Sequence, residues 1–136
     1  MAETLKLEIV TPEAVTYSED VDMVTLPGAE GELGVFPKHV PLMTQVMPGE
    51  VIVRKNNQDY FLAIGGGFAE ITGSRVAILT DMAIKATDID EAKADEARRR
   101  AEERLQQKLS DEEVANVSAA LAHSLAQLKV KRRTHG

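Results

Sequence analysis

Apolar and polar positions alternate along the first part of the chain and recur at helical spacing along the last. Leu5, Leu7 and Ile9 alternate with Lys6 and Glu8, the period of a half-buried strand. Val21, Met23 and Thr25 repeat that period before Pro27-Gly28. Val51-Ile52-Val53, then Asn56-Asn57, then Tyr60-Phe61-Leu62-Ala63-Ile64 predict a hairpin. Phe68-Ala69-Glu70-Ile71 and Val76-Ala77-Ile78-Leu79 flank the turn residues Thr72-Gly73-Ser74 and predict two further strands. Short strands with turn signals at intervals of roughly 8–12 residues predict an antiparallel sandwich or barrel.

The pattern changes near Ala86. Asp88 followed by Glu91 has the spacing of a capping box, so a helix is predicted to start there. Ile89, Lys93, Ala97, Ala101, Leu105 and Leu109 then recur every four residues, apolar except for the lysine. Ser110 with Glu113 is a second capping box, and Asp111 and Glu112 complement the positive end of the helix dipole. Val114, Val117, Leu121, Leu125 and Leu128 form the next apolar stripe, flanked by Ala115, Ala119, Ala122 and Ala126. The connection is short, so the two helices are predicted to run antiparallel. Alanine-lined seams bury little area and stabilise correspondingly little. The hairpin is therefore expected to depend on the β part or on a partner, and to be able to detach and re-dock.

Composition sharpens this division. The chain has 136 residues, 43% of them hydrophobic and 28% charged, as ordinary folded proteins do. The net charge of -6 argues against a nucleic-acid binder. Residues 1–86 carry 6 basic and 12 acidic side chains, hence the whole -6, and residues 87–136 carry 10 of each. The last stretch, from Val114, holds Lys129, Lys131, Arg132 and Arg133 and no acid. We place a domain boundary at Lys85–Asp88, giving a β domain over 1–86 and a helical domain over 87–136. No apolar run reaches the ~18–20 residues of a membrane span. The start, Met1-Ala2-Glu3-Thr4, has neither the basic residues nor the apolar stretch of a secretory signal, so a soluble intracellular protein is expected.

Catalytic signatures are missing. With no cysteine, thiolate metal sites, cysteine nucleophiles and disulfides are excluded. Ile64-Gly65-Gly66-Gly67-Phe68 lacks the lysine of a phosphate loop and lies between strands, which suggests a bulge or a close backbone approach. His39, His123 and His135 are too scattered to suggest a metal site. Glu30, Glu32 and Glu50 form a carboxylate pair only if the fold aligns them.

Three segments carry more. Pro27-Gly28-Ala29-Glu30-Gly31-Glu32-Leu33-Gly34-Val35-Phe36-Pro37-Lys38-His39-Val40-Pro41-Leu42 is the first. Gly65-Gly66-Gly67-Phe68-Ala69-Glu70, followed by Val76-Ala77-Ile78-Leu79-Thr80-Asp81, is the second, and Ile89-Asp90-Glu91-Ala92-Lys93-Ala94 the third. In order, spacing and total length they resemble the epsilon subunits of bacterial F-type ATP synthases, over essentially the whole chain. The resemblance implies a β-sandwich of about ten antiparallel strands followed by a C-terminal antiparallel α-helical hairpin. It implies a non-catalytic subunit of the central stalk in a proton-translocating enzyme, peripheral on the cytoplasmic face of the bacterial inner membrane. It further implies a gamma subunit, the c-subunit ring and the catalytic alpha and beta subunits as partners, with the membrane reached only through the complex and no nucleic acid.

Site residues follow from the same resemblance. Glu30, Gly31, Glu32 and His39 match the family's segment that faces the c ring and gamma. Lys129, Lys131, Arg132 and Arg133 match the C-terminal cations that meet an acidic segment of the catalytic beta subunit when the helices extend and hinder ATP hydrolysis. Ile89, Asp90, Lys93, Ala94 and Arg100 match positions with which some members bind ATP. Lys93 stands where that motif has arginine and so lacks the planar fork. The two basic positions of the second helix fall on His123 and Gln127. Weak ATP binding, or none, is therefore expected, and no cofactor is assigned. A free-standing module that closes its hairpin over ATP or another anion is the alternative.

Overall fold

A computed structural model of the chain describes residues 3–135, without the side chains of Thr134 and His135. The Met1–Ala2 start and the terminal Gly136 lie outside the described residues, as does the His135 imidazole. Ten strands form one hydrogen-bonded sheet: β1 (Leu5–Val10), β2 (Val15–Val21), β3 (Met23–Gly28), β4 (Gly31–Val35), β5 (Leu42–Val46), β6 (Gly49–Lys55), β7 (Gln58–Ile64), β8 (Gly67–Ile71), β9 (Arg75–Thr80) and β10 (Ala83–Lys85). Their order is β10-β7-β6-β3-β5-β8-β9-β1-β2, with β4 paired to β3.

The sheet folds over itself at β3. Met23, Val24 and Thr25 pair with β6, whereas Gly28 pairs with Val46 of β5, so β3 passes from one layer to the other. Side chains at alternate positions of both layers meet in an aliphatic core that includes Leu7, Ile9, Val24, Leu26, Val53, Leu62, Ile71 and Ile78. Cross-strand pairs such as Ile9 with Ile78 and Val24 with Val53 set the register. Ile78→Ala is expected to destabilise the sandwich by about 2–5 kcal/mol, because the lost transfer energy adds to a cavity that two packed layers cannot fully collapse into. Equilibrium denaturation checks it, and a loss below 1 kcal/mol contradicts this packing.

Three strand readings change. The β1–β9 pair is parallel, against an all-antiparallel expectation, while the other pairs are antiparallel. No hairpin turn links these two strands, so nothing local obliges them to run in opposite directions. The Val21-Met23-Thr25 alternation is also broken. Asp22 ends β2, its amide donating to the Arg54 carbonyl and its carboxylate accepting from the Asn56 amide. Beyond it the phase flips: Val24 and Leu26 are buried, and Met23 and Thr25 are only partly so. β2, β4, β5 and β10 do not alternate visibly, because they turn few apolar side chains inward; β5, for example, buries only Val46. Asn56-Asn57 forms the predicted hairpin turn, with φ of 54° and 64°, the left-handed pair that suits the twist of two flanking strands.

A single 3-10 turn, Ala86–Asp88, leads to α1 (Glu91–Leu105) and α2 (Asp111–His135). The first cap is Asp90, whose carboxylate accepts the Lys93 amide at 3.1 Å, and not Asp88. Ile89 is buried against the sandwich and holds the chain extended, so the helix starts only after it. The Ser110–Glu113 box forms as predicted and is reciprocal: the Glu113 amide donates to Ser110 Oγ at 3.2 Å, and the Ser110 amide to Glu113 at 3.3 Å. α1 packs on α2, and α2 packs on β6 and β7. A second apolar cluster joins Ala63, Ala86, Ile89, Ala126 and Val130, with Phe61, Met82 and Ile84 beside it.

The helical stripes shift as well. α1 buries Ala94 and Ala101 and leaves Lys93 exposed. In α2 the buried positions are Ser124, Ala126, Leu128 and Val130, while Val114 and Leu125 are 41% and 47% exposed. α2 has two neighbours to satisfy, and only its C-terminal half lies on the sandwich. The side-chain contacts of α2 with the sandwich run from His123 to Arg133, and of the predicted stripe only Leu128 is fully buried.

Candidate functional site

The interface between α2 and the sandwich is built from charges around that second apolar cluster. His123 Nε2 lies 3.1 Å from Asp81 Oδ1. The Gln127 amide points at Met82 Sδ, and Lys131 Nζ donates to the Ala86 carbonyl at 3.1 Å. Arg132 pairs with Glu91 of α1 at 3.0 Å and reaches Asp95 at 3.7 Å. Arg133 meets Glu50 of β6 at 2.6 Å and lies over the Phe61 ring. Lys129 is exposed and contributes its field to Glu50. The hairpin is thus folded down, and the tail arginines are used within the chain.

Glycine makes this approach possible. A Cβ on Gly65 would stand 1.9 Å from Asp81 Oδ1 and 2.8 Å from His123 Nε2. The Gly65-Gly66-Gly67 run is therefore a site of close approach, in keeping with its lack of a phosphate-loop lysine.

Two loops carry the segment predicted to face gamma and the c ring. Gly28 pairs with Gly31, so Ala29 and Glu30 form the tip of the β3–β4 hairpin, and Gly31 takes φ +123°. The carboxylates of Glu30 and Glu32 are exposed there. His39 lies beyond the far end of β4, in the connection to β5. It is partly buried, with Nδ1 donating to the Val40 carbonyl at 2.6 Å. The neighbouring Lys38 amide bonds to the Gly73 carbonyl at 2.6 Å, which docks this connection on the β8–β9 turn. A five-residue strand is about 16 Å long, so the structure holds His39 apart from the acidic tip.

The proposed ATP-contacting positions are dispersed. Ile89 and Ala94 are buried in packing, and Asp90 is occupied as the α1 cap. Lys93 and Arg100, seven residues apart on one face of α1, are exposed. His123 and Gln127 are turned onto the sandwich. A cavity of about 380 Å³ opens where β2 meets β7 and β10, lined by residues including Tyr17, Lys55, Tyr60, Phe61 and Lys85, and none of the five positions lines it.

Sequence reasoning missed two features. One is the acceptor set for the tail, Glu50, Asp81, Glu91 and Asp95, which the alternation of strands and helices does not reveal. Burial pushes the Glu50 carboxyl up, and Arg133 and Lys129 pull it back. Hydrogen bonds from Arg98 hold the Asp95 carboxyl below the usual range. The other is an apolar outer face on the layer away from α2. Phe68 and Leu79 are opposite each other on β8 and β9, 57% and 55% exposed, with Met43 on β5 and Val15 on β2 also exposed. The signal was present: Val76-Ala77-Ile78-Leu79 is apolar at every position, on both faces of its strand.

The chain matches the model of the ATP synthase delta/epsilon chain β-sandwich domain over residues 4–86. It matches that of the delta/epsilon chain long α-helix domain over residues 87–132. It is 42% identical to an ATP synthase epsilon chain of Desulforamulus reducens over 129 residues, 95% of this chain and 98% of the relative. It is 43% identical to that of Herpetosiphon aurantiacus, covering 94% of each. Among solved structures it resembles a chain of the Euglena gracilis mitochondrial ATP synthase assembly of OSCP, F1 and c ring. There the TM-score is 0.75 at 25% identity, over 93% of this chain and 79% of that one. A chain of the Tetrahymena thermophila mitochondrial ATP synthase central stalk and c ring shares the fold, with a TM-score of 0.57 at 12% identity, over 97% and 96% of the two chains.

Proposed function

This chain belongs to the delta/epsilon chain family of ATP synthases, and from that premise we propose that its sandwich is the anchor and its hairpin a releasable brake. The family's epsilon chains are non-catalytic subunits of the central stalk, and this chain takes the same place, with gamma, the c ring and the catalytic alpha and beta subunits as its neighbours. It is a peripheral part of the complex. No helix among the described residues is long and apolar enough to cross a membrane. We place it on the cytoplasmic face of the bacterial inner membrane.

The apolar face around Phe68 and Leu79 suits gamma, because an exposed apolar patch gains most from burial against a partner. The exposed Glu30–Glu32 tip suits a basic rim on the c ring, where opposite charge sets register and orientation more than affinity. We assign His39 to the same interface through the connection it supports. The carrying observation for the brake is that Arg132 and Arg133 are already paired with this chain's own Glu91 and Glu50. Together with Lys129 and Lys131 they can exchange those carboxylates for an acidic segment of a catalytic subunit. Extension then swaps one set of ion pairs for another, which keeps two states close in energy.

The test uses the absence of native cysteine. Cysteines introduced as Asp81→Cys and His123→Cys, bridged by a short bifunctional reagent, hold α2 on the sandwich. In a complex that the unbridged chain inhibits, the bridged chain is expected to restore ATP hydrolysis, and reversal of the bridge to restore inhibition. Unchanged inhibition with the bridge intact refutes the brake.

A further inference from the structure

Glu50 is the one acidic residue buried among the described residues. It lies at the start of β6 under the end of α2, with its side chain 4% exposed. One oxygen accepts from Arg133, and among the described residues the other, Oε2, has no hydrogen-bond partner. The arginine is half in solvent, 51% exposed, and lies over Phe61 with its guanidinium carbon 5.7 Å from the ring centroid. A second cation, Lys129 of α2, also lends its field to the carboxylate, and a like charge, Glu32 of β4, opposes its ionisation.

The two partners are therefore unequal. Arg133 loses little if Glu50 is removed, since water already reaches it. Glu50 loses a great deal if Arg133 leaves while α2 stays, because an ionised carboxylate would be buried without its hydrogen-bonded partner, with only the field of the exposed Lys129 to offset it. An attractive latch would satisfy both oxygens. Among the described residues this site leaves one without a partner, within the field of another carboxylate, Glu32.

We propose that Glu50 makes docking conditional: it tolerates α2 only while Arg133 remains on it, so an acidic partner that captures Arg133 also turns Glu50 against the docked helix. The inference rests on the reading of the hairpin as a releasable brake and names its trigger. One contact change then does two things, forming a pair elsewhere and leaving a buried charge behind.

The pH dependence distinguishes this from ordinary attraction. Burial raises the Glu50 carboxyl above its ordinary value despite Arg133 and Lys129. The docked state then holds the Glu50 proton more tightly than an undocked, solvated Glu50 does. Docking is strengthened by acid and weakens as pH rises from the ordinary glutamate range through the raised value. A purely attractive pair has the opposite sign and is lost on acidification. Among the described residues the other ionisable side-chain pair between α2 and the sandwich is His123 with Asp81, and it is removed by reading the response in a His123→Gln background.

The experiment uses the full chain with dyes on Glu13→Cys in the β1–β2 turn and Ser118→Cys on α2, both exposed positions, and reads the docked fraction by energy transfer at pH 8. Arg133→Gln is expected to raise the undocked-to-docked ratio at least about tenfold. Glu50→Gln is expected to leave that ratio unchanged or lower it. The double variant is expected to return to within about threefold of the parent ratio, a coupling that contact between the two side chains requires. In the His123→Gln chain acid is expected to tighten docking, and adding Glu50→Gln to abolish that response. Thermal unfolding of the sandwich separates undocking from misfolding. If Glu50→Gln undocks as strongly as Arg133→Gln, if Arg133→Gln stays docked, or if acid loosens the helix, the proposal is overturned. All of this is measured on the isolated chain. A normal docking equilibrium in a chain that fails to inhibit the assembled enzyme would count against the brake and not against the conditional contact.

Discussion

A chain ending at Ala86 is expected to bind the catalytic complex as the full chain does and to leave ATP hydrolysis uninhibited. The main core comes from residues of β1–β9 with Ala83 of β10 packed against it, so removing 87–136 takes nothing from it. What is lost is the second cluster, Ile89, Ala126 and Val130, and its cover over Ala63 and Phe61. Residues 87–136 carry equal numbers of acidic and basic side chains, so the -6 charge of the sandwich is unchanged by the cut. Long-range steering toward the complex is preserved. Affinity for a complex stripped of its own epsilon is expected within about threefold of the full chain, a difference under 1 kcal/mol. The effect on inhibition is expected to be complete, because the proposed brake consists of the helices that the cut removes, and a shift between 1:99 and 99:1 takes about 5.5 kcal/mol. Binding and hydrolysis measured side by side decide the matter. If the short chain inhibits as strongly as the full one, the helices are not the brake. If neither binds, the anchoring role of the sandwich fails too.

The second large effect concerns the other side of the molecule. Phe68→Asp combined with Leu79→Asp is expected to weaken association with gamma by at least about 100-fold, or about 2.7 kcal/mol. The two side chains are register partners on β8 and β9 and project outward. In the free chain the aspartates meet water, so the melting temperature is expected to fall only a few degrees, as surface substitutions do. In the complex the same carboxylates would be buried against an apolar partner without compensation. The neutral pair Phe68→Thr and Leu79→Thr keeps strand propensity and is expected to lose only about tenfold, mainly from lost apolar area. Affinity titrations against purified gamma, with melting curves as the control, provide the reading. Undiminished affinity of the aspartate pair would place gamma elsewhere on the sandwich.

The parts of the fold legible in the sequence are those governed by neighbours along the chain. The period of two in Leu5-Leu7-Ile9, the Asn56-Asn57 turn and the Ser110–Glu113 box are local, and all three form as read. Misreadings fall where a distant residue intervenes. Asp22 flips the phase of β3 because it is engaged by Arg54 of β6 and by Asn56 of the turn that follows it. Asp90 displaces Asp88 as cap because Ile89 is drawn into a cluster with Ala63 and Val130.

The candidate site follows the same division. The chain by itself determined a β part, a weakly apolar helical hairpin and a cationic tail, because periodicity, alanine content and charge are properties of consecutive residues. Only the tertiary structure decided that α2 lies on β6 and β7, that Arg133 finds Glu50 83 residues away, and that Phe68 and Leu79 are left uncovered. Which carboxylate a cation meets, and which apolar face stays open, depend on how layers stack. Stacking is set by the sum of many weak long-range contacts, to which no single stretch of sequence contributes enough to be read alone.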